Sequence, residues 1–225
     1  MKQLILLIIL TLTYFINYGQ SFDKKNQKTV LLNNGFKIKV GGSENIGHFS
    51  TYAPFILTRN GKIIYLDSTN KTEYEFGDTL YPMIHKLIDN SFEILAEIND
   101  RPNKNYLKRF LIKNDKLIKL DTLPTFFCKA KNLDNDTTLE YAAIWEFGEE
   151  WDDSTNQRLT VYNPIIYYEL TQKGLQLDSS LTIERNKMIY GKFYGYNYNE
   201  RIAIKVSDLG DKLSNEIERI KGDKK

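Results

Sequence analysis

The sequence predicts an all-β protein built from antiparallel, four-stranded meander units, and three observations carry that prediction. The chain holds 15 Tyr and 12 Phe against 2 Trp, and both residues favour pleated, half-buried surfaces. Beyond residue 35 most segments alternate apolar and polar side chains, as in Phe36-Lys37-Ile38-Lys39-Val40 and Arg201-Ile202-Ala203-Ile204-Lys205-Val206, the period of half-buried strands. Finally, one hairpin-like segment recurs, beginning at Leu57, Leu111 and Leu170. Composition agrees: 225 residues, 41% hydrophobic and 27% charged, are too apolar for a disordered chain and far from a disulfide scaffold.

Taken in order, the chain opens with Met1-Lys2-Gln3 and then an apolar run from Leu4 to Ile16, ending in Asn17-Tyr18-Gly19-Gln20. A basic start, a short apolar stretch and a small residue before a polar one make a secretory signal peptide. The apolar run would rise only about 20 Å as a helix, short of a hydrocarbon core of about 30 Å. Residues 1–19 are therefore expected to be removed on export, with a short N-terminal anchor as the alternative. No cysteine stands at the cleavage point to accept a lipid. Residues 20–35, rich in Lys and Asn, read as a flexible leader, residues 36–206 as one all-β domain, and residues 207–225 as a helix and basic tail. The helix rests on Leu209, Leu213, Ile217 and Ile220 at helical spacing, weakened by Gly210.

Inside the β region, Leu57 to Ser68 aligns without gaps on Leu111 to Thr122, and Leu170 to Ser179 fits with one deletion. Each copy reads strand, tight turn, strand and ends in Leu-Asp-Ser or Leu-Asp-Thr, and Asn-Gly and Lys-Gly supply the positive φ a tight connection needs. A second match, Lys86 to Ile94 against Lys131 to Tyr141, places a strand on either side of an acidic loop. Four strands at roughly 40–55-residue spacing are the mark of propeller blades. Three to four propeller-like units fit between residues 36 and 206, and a β-sandwich or barrel is the alternative.

The acidic loop is the candidate metal site. Asn132, Asp134, Asp136 and Glu140 set oxygen side chains at alternate positions of a tight loop with a later carboxylate, as calcium requires; a solvated Asx-turn is the alternative. Thr137 stands where glycine would ease the turn. With Ala142, Ala143 and Ile144 following, the loop resembles the FG-GAP or VCBS type of β-propeller repeat, although Asn132 replaces the first Asp of that pattern. The resemblance implies a calcium-holding loop and blades that mostly form binding surfaces.

Other chemistry is sparse. No Gly-x-Ser-x-Gly, Walker or His-Glu-x-x-His motif occurs, and one cysteine with two histidines is too few for a zinc site. Cys128 alternates with Lys129 and reads as a buried strand residue, not a nucleophile; His48 and His85 read as surface or turn residues. A net charge of +2 without a basic run in the β region gives no electrostatic footprint for nucleic acid.

The richest segment is 145–153, which gathers Trp145, Glu146, Glu149, Glu150, Trp151, Asp152 and Asp153. Paired carboxylates about 5–10 Å apart cleave glycosidic bonds and tryptophan faces stack on sugars, but acids in a polar hairpin loop are ordinarily solvated. The sequence thus predicts a secreted or periplasmic, monomeric, non-catalytic module for an extracellular or envelope ligand (a glycan, a peptide or a protein). Its contact residues are Trp145 and Trp151 with Phe193, Tyr194 and Tyr196 of a neighbouring loop. The alternatives are a glycan-acting hydrolase using a carboxylate pair among residues 146–153, and a structural or inhibitory envelope protein.

Overall fold

The structure is a computed structural model that describes residues 27–222 except 47–48, 69–71, 77–79, 101–104 and 146–148. The expected signal peptide (residues 1–19), most of the expected leader, His48 and Glu146 therefore lie outside the described residues. The chain is all-β, with antiparallel sheets and a short helical C-terminus, and it divides into two compact units, Met1–Tyr74 and Glu75–Lys225.

In the first unit, β1 (Lys28–Leu31), β2 (Phe36–Val40), β5 (Phe55–Arg59) and β6 (Lys62–Asp67) form a four-stranded sheet in that order, and β3 (Ser43–Ile46) pairs with β4 (Phe49–Tyr52). The leader thus gives way over residues 28–31: Lys28-Thr29-Val30-Leu31 pairs with residues 37–40 as an edge strand, with Thr29 and Leu31 exposed and Lys28 and Val30 half-buried. Alternation on β2 and β5 buries Phe36, Ile38, Val40, Phe55 and Leu57, and Phe55 stacks on Tyr74 at 4.1 Å between centroids. The β5–β6 turn places Asn60 at φ 48° and Gly61 at φ 83°, the two left-handed residues of a tight hairpin turn.

After β7 (Glu73–Glu75), the second unit contains β8 (Met83–Lys86), β9 (Ser91–Asn99), β10 (Tyr106–Lys113), β11 (Lys116–Phe126), β12 (Glu140–Ile144), β15 (Ile166–Thr171) and β16 (Gly174–Leu177). Strands β9 to β12 and then β15 and β16 run side by side as one antiparallel meander, with β8 on β9. The second and third hairpin segments, β10–β11 and β15–β16, are thereby joined in one sheet through β11 and β12, and the sheet does not close into a barrel among the described residues. A separate three-stranded sheet runs β13 (Glu150–Asp152), β14 (Arg158–Tyr162), β17 (Asn199–Lys205).

Among the described residues three helices accompany these sheets: α1 (Ser179–Tyr190), α2 (Val206–Leu209) and α3 (Lys212–Lys221). The C-terminal helix is split at Gly210, whose φ of 49° no helix accommodates. Leu209 and Ile220 are buried in one core with Cys128, Ala142, Tyr162, Tyr167 and Leu181. Sequence periodicity does not foresee α1, which lies within residues 36–206, expected to be all-β. Asp178 caps it, its Oδ1 accepting from Leu181 N at 2.9 Å, and Gly191 ends it at φ 74°, a cap pair of the usual kind. Among the described residues no helix is long and apolar enough to cross a membrane.

Candidate binding site

The acidic loop between β11 and β12 gathers ligand oxygens of Asp134, Asp136 and Glu140 within 4.8 Å of one another. Oxygens sharing one calcium ion lie at most about 5 Å apart, twice the Ca–O distance, so the carboxylate set fits calcium. Glu140 is buried, its Oε2 accepting from Leu133 N at 2.7 Å and its Oε1 from Thr138 Oγ1 at 3.0 Å. Burial pushes its carboxyl above the ordinary range, with Asp134 and Asp136 adding to the rise, whereas hydrogen bonds from Thr138 hold Asp136 below it. Asn132 spends both ends of its amide inside the loop, accepting from Asn135 N and donating to Asp136 O. The left-handed residue is Asn135 at φ 69°, so a threonine at 137 brings no strain.

The carboxylates of segment 145–153 are distributed among distinct partners. Glu150 and Asp152 share one face of β13, and both reach Arg158 of β14, at 3.0 and 3.5 Å. Asp153 closes the following turn by accepting from Gln157 N, Thr155 N and Thr155 Oγ1. Those bonds hold its carboxyl below the usual range, the reverse of what a general acid needs. Glu149 is exposed. Trp145 is half-buried and Trp151 exposed. Phe193, Tyr194 and Tyr196 form their own cluster: Phe193 meets Tyr196 edge-on at 4.9 Å, and Tyr194 meets Tyr162 of β14 at 5.0 Å. Tyr162 Oη donates to Gly195 O at 2.9 Å and its phenol is pushed up to about 12, chiefly by burial.

Beside this segment lies a cavity of about 380 Å³, within the range of small-ligand pockets, about 300–1,000 Å³. Phe127, Ile144 and Val161 line it from the sheets and Leu209, Leu213 and Ile217 from the C-terminal helices. Neighbours of segment 145–153 line it: Ile144 precedes the segment, and Thr160 pairs with Glu150. Two hydroxyls at its wall are engaged: Thr160 Oγ1 donates to Glu149 O at 2.7 Å, and Tyr190 Oη to Asn163 O at 2.8 Å. Apart from Asn163, the rest of the lining is apolar, with Lys221 at one end of the α3 stripe. The spacing Leu209, Leu213, Ile217, Ile220 was legible as a helix, but not that the first three of these would border a cavity.

A buried polar network was not legible either. His85 Nδ1 lies 3.1 Å from Glu93 Oε2, and its Nε2 3.1 Å from Tyr141 Oη. Arg109 Nη1 stands 3.5 Å from Glu93 Oε1, and its Nε donates to Asp121 Oδ1 at 2.6 Å. His85 is thus neither a surface nor a turn residue; it faces Glu93 across the β8–β9 pair. Carboxylate, imidazole and phenol in a row resemble a proton relay, but Tyr141 is buried and burial pushes its phenol up. The network therefore ties β8 to β9 and β12. Cys128 is buried as expected, and burial pushes its thiol up, away from the thiolate that a nucleophile needs.

Comparison of the chain with protein-family models, with curated proteins and with solved structures finds no match.

Proposed function

We propose that the protein is a secreted or periplasmic, non-catalytic binding module, and that its ligand presents an apolar portion to the pocket bordered by segment 145–153. The supporting observation is the pocket itself: a partly open, mainly apolar groove of about 380 Å³, whose lining side chains bury apolar surface when an apolar ligand portion covers them. Trp151 and the Phe193, Tyr194 and Tyr196 cluster extend the contact surface, and the aliphatic lining favours a lipid-like or peptide ligand over a bare glycan.

The neutral solvatochromic dye Nile red tests this reading. The protein should bind it saturably with a blue-shifted emission, and Leu213→Trp, which fills the cavity, should weaken binding at least tenfold while far-ultraviolet circular dichroism stays unchanged. A wild-type protein without saturable binding, or a variant that binds as well, contradicts the reading.

The acidic loop is proposed as a structural calcium site held by Asp134, Asp136 and Glu140, supported by the convergence of their oxygens. Calorimetry should show calcium uptake that Asp134→Ala abolishes. Absence of heat and of any change in melting temperature with the wild type would end that idea. Bound calcium needs Glu140 ionised, so affinity should fall as pH drops through its raised pKa.

A further inference from the structure

We infer that the pocket binds a linear acyl chain of about ten to twelve carbons, its carboxylate at Lys221; this rests on the binding-module reading and names the chemical class of its ligand. Leu213, Ile217 and Lys221 follow one another at intervals of four residues along α3 and all line the cavity. Residues so spaced share one face of a helix, and eight residues of rise make a stripe about 12 Å long. Two apolar side chains followed by an ammonium group therefore form an axis with a greasy body and a cationic end. A 12 Å path exceeds the reach of any single apolar side chain of a peptide.

The volume agrees. A cavity of about 380 Å³ holds about a dozen methylene-sized groups, taking about 30 Å³ for each, the share of a water molecule in the liquid. Charge complementarity sets the head group. Among the described residues Lys221 is the only charged one lining the cavity, and no carboxylate lines it. Lys131 adds a second cation nearby: its Nζ would stand 3.3 Å from a Cβ built on Gly222, the residue next to Lys221. The opposite end of the stripe, around Leu209 and Leu213, offers no charged partner among the lining residues, so an ammonium-headed or doubly charged chain is disfavoured. Ile144, Phe127 and Val161 supply the facing wall.

Displacement of Nile red by a homologous series tests the inference. Sodium dodecanoate, kept below its micelle concentration, should displace the dye at one equivalent. Affinity should rise about fourfold for each methylene from octanoate to dodecanoate and level off beyond. The wild type should prefer dodecanoate to dodecan-1-ol by about tenfold, and Lys221→Glu, at an exposed position, should reduce that ratio to about one. If the dye binds but dodecanoate does not displace it, or if dodecanoate and the alcohol bind the wild type equally, the acyl-carboxylate assignment is overturned while the apolar pocket stands. If the dye itself fails to bind, both fall together.

Discussion

Asp121 shows how single residues set this protein's response to pH. Burial alone would raise its carboxyl, but hydrogen bonds from Arg109 and Lys119 outweigh burial and hold it below its ordinary value. A carboxyl depressed by folding stabilises the folded state above its unfolded pKa, about 3.9, and that contribution disappears as pH falls through the folded value. Asp121→Asn should therefore cost about 2 kcal/mol in urea unfolding at pH 7 and little at pH 2.5; an equal cost at both pH values would refute the account. At this scale legibility depended on where a residue's partners lie. Cys128 was readable because alternation with Lys129 is local. His85 was not, because Glu93 is its neighbour only after β8 and β9 pair, and Tyr141 only after β12 joins the same sheet.

Among the elements, α1 is the informative case. Its buried residues include Thr182 and Asn186, both fully enclosed, so its inner face lacks the apolar stripe that marks an amphipathic helix. These side chains instead serve backbone left over at the start of β15. Ile165 N donates to Asn186 Oδ1 at 3.0 Å, Asn186 Nδ2 donates to Ile165 O at 2.7 Å, and Tyr167 N donates to Thr182 Oγ1 at 3.0 Å. A helix that docks through hydrogen bonds is invisible to hydrophobic periodicity. Asn186→Ala strands two buried backbone groups and should cost about 2–4 kcal/mol, measured by chemical unfolding; a loss under 1 kcal/mol would mean that water replaces the amide. Hairpins β5–β6 and β10–β11, by contrast, were legible because their turns need left-handed residues, and Asn60-Gly61 and Asn114-Asp115 supply them.

For the whole molecule, the strand-rich class was written in the alternation and the aromatic count, whereas the layout of the sheets was not. Segments that align in sequence fall partly in one continuous meander of the second unit and partly in the four-stranded sheet of the first, since hairpin chemistry fixes local pairing and leaves sheet order to burial. The aromatic residues divide accordingly: Phe55 and Phe110 are core, while Trp151 and Tyr194 remain at the surface near β14. The pocket is a property of this scale alone, because its lining comes from residues 127 to 221, and no local pattern signals its presence. Methyl-resolved NMR during a Nile red titration tests its role most directly. Saturable shifts should appear at Ile144, Leu209, Leu213 and Ile217 and be absent at the exposed Ile63, Leu66 and Ile118; silence at the four lining residues, or shifts at the exposed ones instead, would contradict the account.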